Sequence, residues 1–103
     1  MNKRFDYIII GSGAAGSVVA ARLAQVNAGS ICVIEAGGDN RKWLVDVPAG
    51  FVRNLQNPDM MWQFGTEPTE NTNGRSVYIP QGKILGGSTS INGLVYNLSL
   101  IHI

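Results

Sequence analysis

Gly11-Ser12-Gly13-Ala14-Ala15-Gly16 sets three glycines at the spacing G-x-G-x-x-G, a pattern whose backbone can cradle a diphosphate. Each glycine has a separate task. Gly11 permits a tight turn, Gly13 lets a pyrophosphate approach backbone that carries no Cβ, and Gly16 lets the next helix press against the preceding strand. Ser12, Ala14 and Ala15 lie between them, where the first N–H groups of a helix and the positive end of its dipole would face an anion. Glu35, with Ala36 behind it, follows about 20 residues further on, where a carboxylate can hydrogen-bond ribose hydroxyls and disfavour a 2′-phosphate. These residues point to an adenine dinucleotide, NAD or FAD, and away from NADP.

The surrounding elements suit that task. Asp6 to Ile10 reads as a strand: Tyr7-Ile8-Ile9-Ile10 is continuously apolar, as expected of a parallel strand buried on both faces. Ala14 to about Val26 reads as an alanine-rich helix, with Asn27-Ala28-Gly29 as its exit. Ile31 to Ile34 reads as a second buried strand ended by Glu35. Strand, helix and strand within about 30 residues predict a right-handed βαβ unit, hence an α/β fold of Rossmann type. Beyond it, Asp46 to Gly50 reads as a loop, Gly50 to Gln56 as a short helix and Trp62 to Phe64 as a strand. Glu67 to Gly74 reads as a polar loop. Ser76 to Ile79 reads as a strand stopped by Pro80, and Ser88-Thr89-Ser90 as hydroxyl caps for a helix or turn beginning near Ile91.

A second glycine-rich stretch, Pro80-Gln81-Gly82-Lys83-Ile84-Leu85-Gly86-Gly87-Ser88-Thr89-Ser90-Ile91-Asn92-Gly93, resembles the N-terminal signature of the GMC (glucose–methanol–choline) flavin oxidoreductases, commonly P-R-G-K-x-L-G-G-S-S-x-x-N-G. Glu35-Ala36-Gly37-Gly38, Val47-Pro48-Ala49-Gly50 and Trp62 before Thr66-Glu67-Pro68 agree. The resemblance runs from about Phe5 to Tyr96 and is strongest to choline dehydrogenase-like alcohol dehydrogenases. It implies FAD rather than NAD, with Gly87, Ser88, Asn92, Gly93 and Val95 beside the cofactor; the hydroxyls of Ser88, Thr89 and Ser90 suit helix capping and ligand contact equally. It also implies oxidation of the CH–OH group of a small-molecule alcohol, by hydride transfer to FAD. Gln81 departs from the usual arginine. Ile91 stands where some members carry a flavin-linking histidine, so the resemblance implies non-covalent FAD. Residues 1–96 then form an incomplete FAD-binding domain, the βαβ unit plus the second glycine-rich segment, and Asn97 to Ile103 form a tail that leaves the pattern. The family's catalytic histidine lies far downstream, so this piece alone is expected to be inactive. A free-standing NAD- or FAD-binding module without catalysis is the competing expectation.

Composition narrows the remaining classes. The chain has 103 residues, 45% hydrophobic and 15% charged, with a formal net charge of +1. It has no basic stripe for nucleic acid and no polybasic segment for a membrane surface. Asp6 and Gly11 break the opening Met1-Asn2-Lys3-Arg4 segment before a secretory core can form, and Cys32 is the single cysteine. A cytoplasmic protein is expected, with peripheral membrane attachment left open. Cys32 reads as packing within its strand, and Trp43, Trp62 and Phe64 as core or loop-packing aromatics. Lys83 reads as a solvated lysine, and Asp39 to Lys42 as an exposed polar turn. His102, the only histidine, has no visible partner, so no catalytic residue and no metal ligand is expected.

Overall fold

The computed structural model describes residues 3–94. Val95, His102 and the rest of the tail lie outside the described residues. Strand β1 (Tyr7–Ile10) leads through the glycine turn into helix α1 (Ala14–Gln25), which returns to strand β2 (Ile31–Ile34). The two strands are parallel, with Tyr7 opposite Ile31 and Ile10 opposite Ile34. Asp6 and Ser30 set this register. The Asp6 carboxylate accepts from the Ser30 N–H at 2.8 Å and hydroxyl at 2.6 Å, while the Asp6 N–H donates to Ser30 Oγ at 3.0 Å.

Helix α1 ends as the sequence suggests. Asn27 adopts a left-handed φ of 50°. Its N–H donates to the Ala24 carbonyl at 3.1 Å, and the Ala28 N–H donates to that of Leu23 at 3.0 Å, the paired closure of a Schellman motif. At the other end the helix lies so close to β1 that a Cβ on Gly16 would collide with the Gly11 carbonyl oxygen and stand 3.3 Å from Ile9 Cγ2.

Helix α2 (Trp43–Asp46), a 3-10 turn at Pro48–Gly50 and helix α3 (Phe51–Asn54) occupy the stretch read as a loop and one short helix. Strands β3 (Met61–Gly65) and β4 (Tyr78–Gly82) then form an antiparallel hairpin, with a 3-10 turn at Glu70–Thr72 between them. Strand β4 does not stop at Pro80. Lys83 donates to the Met60 carbonyl at 2.8 Å and Thr66 to that of Val77 at 3.0 Å. Counting by twos between these bonds puts the Gln63–Pro80 pair at a non-hydrogen-bonded position, so the absent proline N–H breaks no ladder bond. The chain turns again at Gly87–Ser90, a 3-10 turn that precedes Ile91 rather than starting there.

Burial corrects the expectation of strands covered on both faces. Helix α1 packs on one face of the β1–β2 pair. On the other face Ile8 is 60%, Ile10 85% and Ile34 51% exposed, because no described element covers it. Cys32 is half-buried rather than enclosed. The core sits elsewhere: Met60, Met61, Ile84 and Ile91 are buried together, with Val45 and Leu55 against them. The aromatics are not core residues either. Trp43 is exposed, and Trp62 stacks on Phe64 at 6.1 Å while both remain partly open to solvent.

Candidate dinucleotide site

The N-terminus of α1 opens into a cleft of about 460 Å³, within the roughly 300–1,000 Å³ usual for small-molecule sites. One wall is Gly11, Gly13 and Ala14; the floor is the exposed ends of the two strands, Ile10 and Ile34, with Glu35 and Ala36. The opposite wall comes from the second glycine-rich segment, through Gly82, Gly87, Ser88 and Thr89, flanked by Trp62 and Gln81 from the hairpin. The two walls touch where a Cβ on Gly87 would stand 3.1 Å from Gly13 Cα.

The first wall suits a diphosphate. Gly13 is the N-cap of α1 and supplies no side-chain bond to it, and the first turn carries no acidic residue. The leading helix N–H groups are therefore left for an anion. A Cβ on Gly13 would meet no protein atom within 4 Å, so its open side faces free space in the cleft.

Glu35 is more occupied than the sequence suggests. Its Oε2 accepts from the Ser12 hydroxyl at 2.5 Å and the Ser12 N–H at 2.8 Å, and its Oε1 accepts from the Gly37 N–H at 2.9 Å. The Ser12 hydroxyl, then the Ser12 and Gly37 N–H groups, hold the carboxyl below its ordinary value of 4.5, against a smaller opposing effect of burial. Oε1 has acceptor capacity beyond the bond from the Gly37 N–H. Ser12 itself is buried and turned away from the cleft, and its Oγ also accepts from the Gly86 N–H at 3.0 Å.

The sequence-derived residues therefore separate. Gly11, Gly13, Ala14, Glu35, Ala36, Gly87 and Ser88 line one cleft. Ser12 sits behind the wall, Ala15 lies one position further along α1, and Gly16 is used in helix–strand contact. Asn92 lines a separate small cavity with Phe51 and Asn54, and Gly93 packs on the Phe51 ring. The hydroxyls of Ser88, Thr89 and Ser90 bind the loop's own backbone. Ser88 Oγ accepts from the Gly82 N–H at 2.9 Å, and Thr89 and Ser90 donate to the carbonyls of Gly86 and Leu85. Sequence reasoning missed Ile10, Ile34, Gln81 and Gly82 as lining residues. The pairing of Trp62 with Gln81 across the hairpin brings both to the cleft, and that pairing is not readable from either strand alone. Lys83 is half-buried, with its Nζ 4.6 Å from the Trp62 ring centroid, a cation–π contact rather than free solvation.

The sequence model of the GMC oxidoreductases matches residues 5–98. The chain belongs to the GMC oxidoreductase family. The region matched is the family's FAD-binding N-terminal part, an α/β fold. Among curated relatives, the oxygen-dependent choline dehydrogenase of Photobacterium profundum is 42% identical over 96 residues, 93% of this chain and 17% of the relative. That of Rhizobium etli is 43% identical over 91 residues, 88% of this chain and 17% of the relative. Among solved structures, pyridoxine 4-oxidase from "Mesorbium loti" superposes with a TM-score of 0.81 at 30% identity, covering 90% of this chain and 18% of that one. An FAD-dependent oxidoreductase from Chaetomium thermophilum superposes with a TM-score of 0.68 at 26% identity, covering 90% of this chain and 16% of that one. The chain thus spans about one sixth of the length of the relatives it matches. No helix among the described residues is long and apolar enough to cross a membrane.

Proposed function

We propose that this chain holds non-covalent FAD in the cleft between α1 and the Gly82–Thr89 segment, as part of an enzyme that oxidises a small alcohol of choline type. The observation that carries the reading is the uncapped N-terminus of α1 facing open space at Gly13, directly across from Gly87. The pyrophosphate would lie at the N–H groups of Gly13, Ala14 and Ala15, and the ribose at Oε1 of Glu35. Ser88 and Thr89 would flank the cofactor on the far wall. Ile91 is buried in the core and has no nucleophile to offer a flavin, which supports non-covalent attachment. Bound FAD supplies a hydride acceptor for the alcohol carbon. The residues of this chain bind and orient it and give the cleft an apolar floor at Ile10 and Ile34. The relatives named choline dehydrogenase support the alcohol class. A cytoplasmic setting, with peripheral membrane association left open, suits this reading and the free thiol of Cys32.

The test is purification of the complete polypeptide carrying residues 1–103, followed by anaerobic addition of choline and simple primary alcohols. Flavin absorbance released by denaturation without covalent label, and bleached by one of these alcohols, is expected. A preparation that takes up NAD and no flavin would make the protein a dinucleotide-binding module of another kind.

A further inference from the structure

We propose that Ser12 is a positioning residue for the cofactor: its hydroxyl clasps the second glycine-rich segment to the first, and so sets the width of the cleft. The inference rests on the reading of that cleft as the FAD site. Ser12 occupies one of the variable positions of G-x-G-x-x-G, where no side chain is required for the turn itself. Here the side chain is 6% exposed and lies behind the cleft wall rather than in it. Its single hydroxyl is used twice: it donates to Glu35 Oε2 at 2.5 Å and accepts from the Gly86 N–H at 3.0 Å. Among the described residues this is the one hydrogen bond that joins the Gly11–Gly16 turn to the Gly82–Gly93 segment.

Other bonds hold the second segment in place without fixing its distance from α1. The Leu85 N–H donates to the Gly38 carbonyl at 2.8 Å, and Asn40 Nδ2 donates to Ser90 Oγ at 3.2 Å. Both tie the segment to the stretch after β2. Only the Ser12 clasp reaches the turn that begins α1. Gly86 lies next to Gly87, whose backbone rests against Gly13, so the clasp acts at the point where the two walls meet. The acceptor matters as well as the donor. Glu35 fixes the direction of the Ser12 O–H, which leaves the oxygen lone pairs turned toward Gly86. Glu35 therefore serves the second wall through Ser12 as well as facing the cleft itself.

The experiment compares Ser12→Ala, Glu35→Gln and the double variant in the complete FAD-loaded polypeptide, with amide hydrogen exchange followed at Gly86. Loss of a hydrogen bond to or through a charged group corresponds to about a tenfold effect or more. Ser12→Ala is expected to speed exchange at Gly86 about tenfold, to raise the FAD Kd about tenfold and to change the visible circular dichroism of the bound flavin. The melting temperature of the FAD-free protein should move little. The double variant should fall short of the product of the two single effects, because both act through one clasp. Unchanged Gly86 exchange, or an FAD Kd that rises with unchanged flavin dichroism and fully additive effects, would overturn the proposal. Exchange is also measured on FAD-free protein. A wild type that holds no flavin would then refute the FAD reading, while the clasp stands or falls on the Gly86 amide alone.

Discussion

Gly13 and Gly87 meet where the two walls of the cleft touch, with opposite tolerances: a Cβ on Gly87 would stand 3.1 Å from Gly13 Cα, whereas one on Gly13 would meet nothing within 4 Å. The asymmetry divides what each glycine is for. Gly87, with a left-handed φ of 57°, is needed by the protein's own packing, while the space beside Gly13 is left open by the protein.

Gly13→Asp should separate binding from folding. The backbone there has φ −69° and ψ −166°, open to any residue, and aspartate is a better N-cap than glycine by a few tenths of a kcal/mol. The FAD-free protein should melt at the same temperature or slightly higher. FAD should be lost on purification, because a carboxylate would stand where the diphosphate is received. Full flavin occupancy in the variant would remove the diphosphate from this wall.

Gly16→Val should do the reverse. Its Cβ would collide with the Gly11 carbonyl and press on Ile9. Overpacking of this kind costs about 1–3 kcal/mol, so denaturant or thermal unfolding should shift down before any effect on FAD affinity is considered. An unchanged midpoint would mean that α1 can move off β1 freely.

Acid should open the Glu35 clasp. Its carboxyl is held below the ordinary 4.5 in the folded chain, so its contribution is complete above about pH 4.5 and is lost as pH falls through the lowered value. Asp6, lowered by its bonds with Ser30, and Asp39, lowered to about 2 beside Arg41, follow the same sign at other places. FAD release on acidification in the wild type should therefore be steeper than in Glu35→Gln, measured by flavin fluorescence. Parallel curves would show that Glu35 does not govern acid release.

Residues 1–103 expressed alone should not turn over alcohols when supplied with FAD and an artificial electron acceptor. Among the described residues Glu35 is the one ionisable side chain lining the cleft, and its hydrogen bonds keep it a carboxylate already engaged by Ser12 and Gly37. Acceptor reduction above the free-flavin rate would locate a base that the cleft does not show.

The βαβ unit was legible because each part is local. A continuous apolar run, a glycine turn, an alanine-rich helix and an asparagine exit each declare themselves within a few residues. The second wall was legible as a motif but not as geometry. Asn92 and Gly93 sit beside Gly87 and Ser88 in sequence, yet the turn at Gly87–Ser90 sends them toward Phe51 and a different cavity. The hydroxyls of Ser88, Thr89 and Ser90 had two plausible uses in sequence, helix capping or ligand contact. In the fold they bond the backbone of their own loop. Burial was the least legible quantity. Apolarity at Ile8, Ile10 and Ile34 marks surface that needs a cover, and says nothing about which element provides it. The Ser12–Glu35–Gly86 clasp spans 74 residues and rests on one hydroxyl, so no local pattern could announce it.

Pro80 has a consequence beyond the hairpin. Because its ring sits at a non-bonded pair, the side of β4 turned away from β3 is the side that lacks the N–H. An extended segment arriving along that edge, from another copy or another protein, would find an acceptor row interrupted by a ring where a donor is required. The outer edge of β4 is thereby a poor template for strand addition, in a protein whose described residues leave apolar strand surface uncovered at Ile8, Ile10 and Ile34.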